Sequence, residues 1–287
     1  MPAIIFALIS YLGWGTGVFV EAIVARKLRW FSLTLWSFLF SVLALSFYAP
    51  FAIKDLANLT FSLVILILTL ALIGIFLGTV FYYEALRIGN RVLVGTIASA
   101  FPAVAVILSI LFLDERISLQ QAIAIIVIFT GLILSMIDIH GIRNQALFNK
   151  ATLFAIITMF SWGIYIAFIK IPVEKIGWFW PNYITFLIFP VIYLYAKIKG
   201  LRIEKPNENQ ALIPLVISTI LVRIGELSYN FAISKGLVAV VAPITGAYST
   251  LFVILAFFFF KDPITKQQIF GIITTLVGIV LLSIFSV

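Results

Sequence analysis

Residues 78–90 read GTVFYYEALRIGN, and residues 225–237 read GELSYNFAISKGL. A slide of 147 positions lays one on the other: Gly78 on Gly225, Tyr82 on Tyr229, Ala85 on Ala232 and Gly89 on Gly236. The register runs on without a gap. Ala100 meets Ala247, Val106-Ile107-Leu108 meets Val253-Ile254-Leu255, and Ile117 meets Ile264. Gln120-Gln121 then meets Gln267-Gln268, and Gly131 meets Gly278. Near the start, an offset of 148 places Trp14-Gly15 on Trp162-Gly163. Matches of Leu, Ile and Val come easily in an apolar chain. Matched glycines, a tyrosine and a Gln pair in one register do not, and they read as an internal duplication.

The composition says where such a chain can live. Of 287 residues, 63% are hydrophobic and 10% charged, with a mean hydropathy of +1.22. A soluble domain is about 45–50% apolar and about 25% charged. One globule of this length cannot hide so much apolar surface, so the chain needs lipid as its solvent. Cysteine is absent and His140 is the single histidine. That excludes disulfides and thiolate metal sites, starves histidine chemistry of ligands, and leaves no metal site or cofactor to expect. The net charge of +8 comes from basic residues scattered among short loops. Such scattering fits anchors at helix ends and not a stripe for nucleic acid.

A spanning helix needs about 20 mostly apolar residues. Ten segments qualify: 3–25, 31–53, 61–86, 91–113, 119–138, 151–172, 178–197, 211–234, 237–260 and 267–286. The expected fold is an all-α membrane protein of ten transmembrane helices in two five-helix repeats. The first repeat covers 1–138, a connecting loop 139–150, and the second repeat 151–287. The first segment lacks a basic leader and a small-residue cleavage site, and its counterpart in the second repeat cannot be a leader, so it reads as a helix that stays. Five crossings per repeat send the second repeat into the membrane from the opposite side. The repeats are then inverted about an axis in the membrane plane, as in secondary transporters that rock around a midplane site.

Several stretches carry a family resemblance. They are Glu84-Ala-Leu-Arg-Ile-Gly-Asn90, Ala100-Phe101-Pro102-Ala103, and Leu113-Asp114-Glu115-Arg116-Ile117-Ser118 followed by Gln120-Gln121 and Gly131. With Leu12-Gly13-Trp14-Gly15 and Phe160-Ser161-Trp162-Gly163, they resemble the EamA domain of the drug/metabolite transporter superfamily, twice over. The resemblance implies a central cavity lined by helices 1, 3, 4, 6, 8 and 9, with helices 5 and 10 at the periphery. It also implies transport of small organic solutes such as amino acids, sugars, nucleotide sugars or choline, often outward. The second copy departs from the pattern, with Lys261-Asp262-Pro263 where the first has Asp114-Glu115-Arg116. Both loop acids read as structural.

Charges inside the bilayer are the candidate site, since each costs about 2.5–3.5 kcal/mol on insertion scales. Arg223 and Glu226 sit mid-helix at a spacing of three and either neutralise each other or face the cavity toward a polar substrate. Glu21 lies near the end of the first helix, where a cavity role competes with snorkelling. Glu84 and Arg87 read as a surface pair, and Lys170 and Glu174 as interfacial. Trp14, Tyr82, Trp162, Tyr165, Tyr229 and Tyr248 lie on helices expected to line the cavity, where aromatic faces attract organic cations or stack on planar groups. Asn230 can add a hydrogen bond. Gly13-x-x-x-Gly17 and Gly74-x-x-x-Gly78 allow close helix contact, and Pro102 and Pro190 are expected kinks.

The expected partners are a small-molecule substrate and the lipid bilayer of a cell membrane, with protons as a candidate coupling ion through Glu21 or Glu226. A monomer and a homodimer are both compatible with the sequence. No phosphate-binding G-x-x-x-x-G-K-[ST] loop exists to hydrolyse ATP. Loops after helices 1, 3, 5, 7 and 9 carry thirteen Lys and Arg against five in the others. The positive-inside rule would put both termini outside, whereas the resemblance puts them in the cytoplasm. The leading reading is a secondary transporter of a small polar metabolite, an amino acid or related compound. An intramembrane enzyme lacks convergent catalytic groups, and a scaffold or receptor would lack a wet central cavity.

Overall fold

The computed structural model describes residues 1–136, 149–207 and 210–286. Residues 139–148 of the expected connecting loop, with His140 and Arg143, and the last two residues of the expected fifth helix lie outside the described residues. Among the described residues the regular structure is helical throughout. We name the membrane helices α1 (Pro2–Val24), α2 (Trp30–Ser46), α3 (Phe61–Ile88), α4 (Leu93–Phe112), α5 (Leu119–Met136), α6 (Lys150–Ile176), α7 (Trp180–Ile198), α8 (Leu212–Lys235), α9 (Val238–Phe260) and α10 (Lys266–Ile284). Nine of these are long and apolar enough to cross a bilayer. Helices satisfy their own backbone, so they can stand in lipid. Their outer faces carry exposed Ile123, Ile126, Phe258, Phe270 and Val280.

The second helix departs from the expected 31–53. It stops at Ser46, and a 3₁₀ segment, Ala49–Asn58, turns away by 90°. Seventeen residues at 1.5 Å each reach about 25 Å, short of a core about 30 Å thick. Pro50 sits in the first turn of the new segment, where its missing N–H is harmless. Phe51 and Ile53 are exposed beside exposed Lys54 and Asp55. That mix of apolar and charged groups suits a segment lying along the membrane interface.

Three other spans are broken by proline. The chain leaves the helix at Ser99–Ala100 before Pro102, at Leu187–Ile188 before Pro190, and at Ile169 before Pro172. In each case the ring removes an N–H and crowds the preceding turn. Helix α9 breaks at Ala247, four residues after Pro243. The two broken helices touch: a Cβ on Gly246 would collide with the Pro102 ring. Helix α3 widens into a π-helical stretch, Ala71–Leu77, around Gly74.

Cross-bundle contacts place both ends of the chain together. Gly236 abuts Ala3. The Val238 N–H donates to Glu115, 2.8 Å away. The Gln121 side-chain amide donates to the Phe285 carbonyl at 3.2 Å. The termini, the α4–α5 loop and the α8–α9 junction therefore share one end of the bundle.

Candidate functional site

Glycine lets the central helices approach each other. A Cβ on Gly13 would lie 2.7 Å from the Gly225 nitrogen, and one on Gly17 would lie 2.6 Å from Val222 Cγ2. Helix α1 thus runs tightly along α8. Likewise α3 runs along α6, with Gly74 against Tyr165 and Gly78 against Trp162. Small residues permit this in lipid, where close packing takes over from the hydrophobic effect.

Two aromatic clusters follow from that packing. Trp14 covers Gly225, stacks on Tyr229 at 5.7 Å and meets Tyr248 edge-on at 5.8 Å. Trp162 covers Gly78, meets Tyr82 at 5.2 Å and Phe101 edge-on at 5.9 Å. Shifted by the sequence offsets of 147 and 148, each member of one cluster falls on a member of the other. Phe101 pairs with Tyr248 in this way, although the residue types differ. Further pairs obey the same offsets. Gly15 meets Leu251 as Gly163 meets Val104, and Gly131 meets Thr275 as Gly278 meets Ile128.

The expected charged residues also converge. Arg223 Nη1 lies 2.7 Å from Glu226 Oε2, one helical turn along α8. The approach is ionic and poorly aligned, because neither atom makes a hydrogen bond of acceptable angle and Arg223 Nε has no partner. The guanidinium stacks on Phe186 of α7 at 4.2 Å and lies 5.6 Å from the ring of Phe38 of α2. Glu21 follows Gly17 by one turn on α1, the helix that packs against α8 at Val222, next to Arg223 in sequence. Glu21 itself takes part in no ion pair or hydrogen bond through its side chain among the described residues.

Other expected site residues are occupied. Tyr229 is 2% exposed and donates its hydroxyl to the Ile166 carbonyl at 2.8 Å. Asn230 donates to the Trp178 carbonyl at 3.2 Å. The Tyr165 hydroxyl reaches Thr185 at 3.4 Å. These three tie α6, α7 and α8 together. Trp14 is buried, while Glu21, Tyr82, Trp162, Glu226 and Tyr248 keep partial exposure.

The sequence does not single out Phe38 and Phe186. Nothing in a run of apolar residues distinguishes the phenylalanine that meets a guanidinium from one that meets lipid. The pair of Lys170 and Glu115, at 2.8 Å, escapes it as well. Both residues are visible as charges, but their partnership crosses between the halves. Among the described residues no cluster of three or more His, Cys, Asp or Glu could hold a metal.

Known proteins share this fold. An uncharacterized protein of Methanocaldococcus jannaschii is 32% identical over 139 residues, spanning 47% of this chain and 97% of its own length. A crystal structure of another protein superposes with a TM-score of 0.81, covering 99% of this chain and 97% of its own at 15% identity. That likeness shows the fold. The model of the EamA-like transporter family matches residues 1–137 and again 149–284. This chain is a multi-pass membrane protein that belongs to the EamA-like transporter family, within the drug/metabolite transporter superfamily.

Proposed function

We propose that the chain is a secondary transporter that moves a small polar organic metabolite, an amino acid or a related compound, by alternating access through a central cavity between two inverted five-helix repeats. The observation that carries this reading is the charge cluster of Glu21, Arg223 and Glu226 inside the helical bundle. A cluster so costly in lipid is most simply explained by a charged or polar ligand that it meets. Among the described residues Arg223 Nε has no hydrogen-bond partner, which leaves a donor for a carboxylate or carbonyl. Glu21, which has no side-chain partner among the described residues, can meet an ammonium group. Trp14, Tyr82, Trp162, Tyr165, Tyr229, Asn230 and Tyr248 frame the cluster or hold its walls.

The inverted arrangement is supported by the mirrored contacts of Trp14 with Gly225 and Trp162 with Gly78. A relative about half as long, matched over nearly its whole length, fits the same duplication. Gly13, Gly17, Gly74 and Gly78 form the close helix pairs, and Pro102 meets Gly246 at the crossing of the two broken helices.

The test is uptake and efflux in proteoliposomes with a panel of amino acids, organic cations and other metabolites. One class should be carried, and Arg223→Gln should abolish its transport with the protein still folded. Absence of transport for every class, or full transport by the variant, would refute the reading. An imposed pH gradient then separates proton coupling through Glu21 or Glu226 from simple exchange.

A further inference from the structure

The end of the bundle that carries both termini is held by an ion pair that the transport site does not use. The α4–α5 loop turns at Asp114, whose φ of 54° is left-handed. The next residue, Glu115, drops inward until its side chain is 2% exposed. There Oε1 accepts from Lys170 Nζ of α6 and from the Val238 N–H, and Oε2 accepts from the Ala239 N–H, each at 2.8 Å. Lys170 Nζ also donates to the Gly236 carbonyl at 3.0 Å and lies 3.7 Å from Glu174. Three polar contacts of Glu115 thus join the first half to α6 and to the start of α9.

We propose that Glu115 and Lys170 form a latch that keeps this end of the transporter shut, and that the latch must part for the central site to open there. The inference rests on the alternating-access reading above. Three observations lift it beyond ordinary packing. First, the latch exists in one half only. The residue 147 positions after Glu115 is Asp262, which is exposed and forms no ion pair or hydrogen bond through its side chain among the described residues. The residue 148 positions before Lys170 is Ala22.

Second, α9 depends on the latch for its cap. The corresponding start of α4 is capped locally by Asn90, whose side chain accepts from the Leu93 N–H at 3.0 Å. The matching residue before α9 is Leu237, which has no capping side chain. Glu115 supplies the missing acceptor from the other half. Opening therefore frees a buried acid, a largely buried amine and two N–H groups at once, all of which need new partners.

Third, those partners have somewhere to come from. A cleft of about 480 Å³, bordered by Asp114, Arg116, Ile171 and Glu174, abuts the pair. Water entering it can hydrate the separated charges. A contact that is tight when dry and dispensable when wet has two discrete arrangements, as a gate requires.

The natural absence of cysteine makes the test direct. Spin labels at Arg116→Cys and Lys235→Cys report the gap between the α4–α5 loop and the α8–α9 junction by pulsed electron resonance, with no substrate needed. The otherwise unchanged protein should show a dominant short-distance population with a minor long one. Lys170→Met removes the ion pair but leaves Glu115 capping α9, and Glu115→Ala removes both. Each should raise the ratio of long to short distances about tenfold or more, with Glu115→Ala the larger. An unchanged ratio in folded Lys170→Met would overturn the latch. Because the readout is a distance, it holds or fails whether or not any substrate is ever found to be carried.

Discussion

The indole of Trp14 occupies the space that a side chain on Gly225 would fill. A Cβ built at Gly225 would lie 2.5 Å from the ring's Cδ1 and 2.9 Å from the Trp14 backbone nitrogen. Trp162 stands in the same relation to Gly78, at 2.7 Å. Gly225→Ala and Gly78→Ala should each lower stability by about 1–3 kcal/mol, the usual cost of overpacking a filled interior. A Cβ on Gly95 would meet nothing within 4 Å, so Gly95→Ala should leave stability unchanged or slightly raised. Thermal unfolding in detergent, followed by tryptophan fluorescence, checks all three. Equal behaviour of the three variants would mean that the tryptophan–glycine contacts carry no weight.

This contact also marks how far the sequence can be read. The glycines and tryptophans are visible as matched pairs, and hydropathy locates the membrane helices but runs the second one past its end at Ser46. The sequence does not say that each tryptophan packs on the glycine of the other half, because register within a half does not fix contacts between halves. Pro50 is a legible signal for the early end of α2, but the surrounding apolar run outweighs it. Glu115 reads as structural from its place in a loop, without its partner. Lys170 reads as interfacial by hydropathy alone, yet its ammonium turns inward because Glu115 and the Gly236 carbonyl wait there.

Two capping boxes repeat across the halves. The Ser118 hydroxyl accepts from the Gln121 N–H at 3.2 Å, and the Gln121 side chain accepts from the Ser118 N–H at 2.9 Å. Thr265 and Gln268 exchange the same bonds at the start of α10. Ser118→Ala and Thr265→Ala should each cost about 0.5–2 kcal/mol. The two boxes share no bond with each other, so the double variant should lose the sum to within about 0.5 kcal/mol. A double variant no less stable than either single one would contradict independent caps.

The shared end of the bundle predicts topology. Ala3 abuts Gly236, Val238 bonds Glu115, and Gln121 bonds Phe285, which links the first helix to the last at one face. Reporter fusions at the two termini should therefore report the same compartment. The excess of basic residues in loops at the far end favours the outside for both, against the family's usual orientation. A split result, one terminus on each side, would be incompatible with an even number of crossings.

The ion pair of Arg223 and Glu226 lends itself to a double-mutant cycle. Arg223 is 8% exposed and its charge rests on Phe186 and Phe38, with Glu226 its nearest counter-charge. Arg223→Met leaves the carboxylate of Glu226 without that partner, and Glu226→Leu leaves the guanidinium without its own. Each single variant should be clearly destabilised, since removing one member of a buried pair exposes the desolvation cost of the other. Replacing both removes that cost, so the double variant should recover part of the loss, with a coupling of about 1–3 kcal/mol. Transport should fail in all three, because stability can be restored by apolar packing but recognition of a charged substrate cannot. A double variant that regains both stability and transport would show that the pair is only a filler of the core, and the assignment of the site to α8 would fall with it.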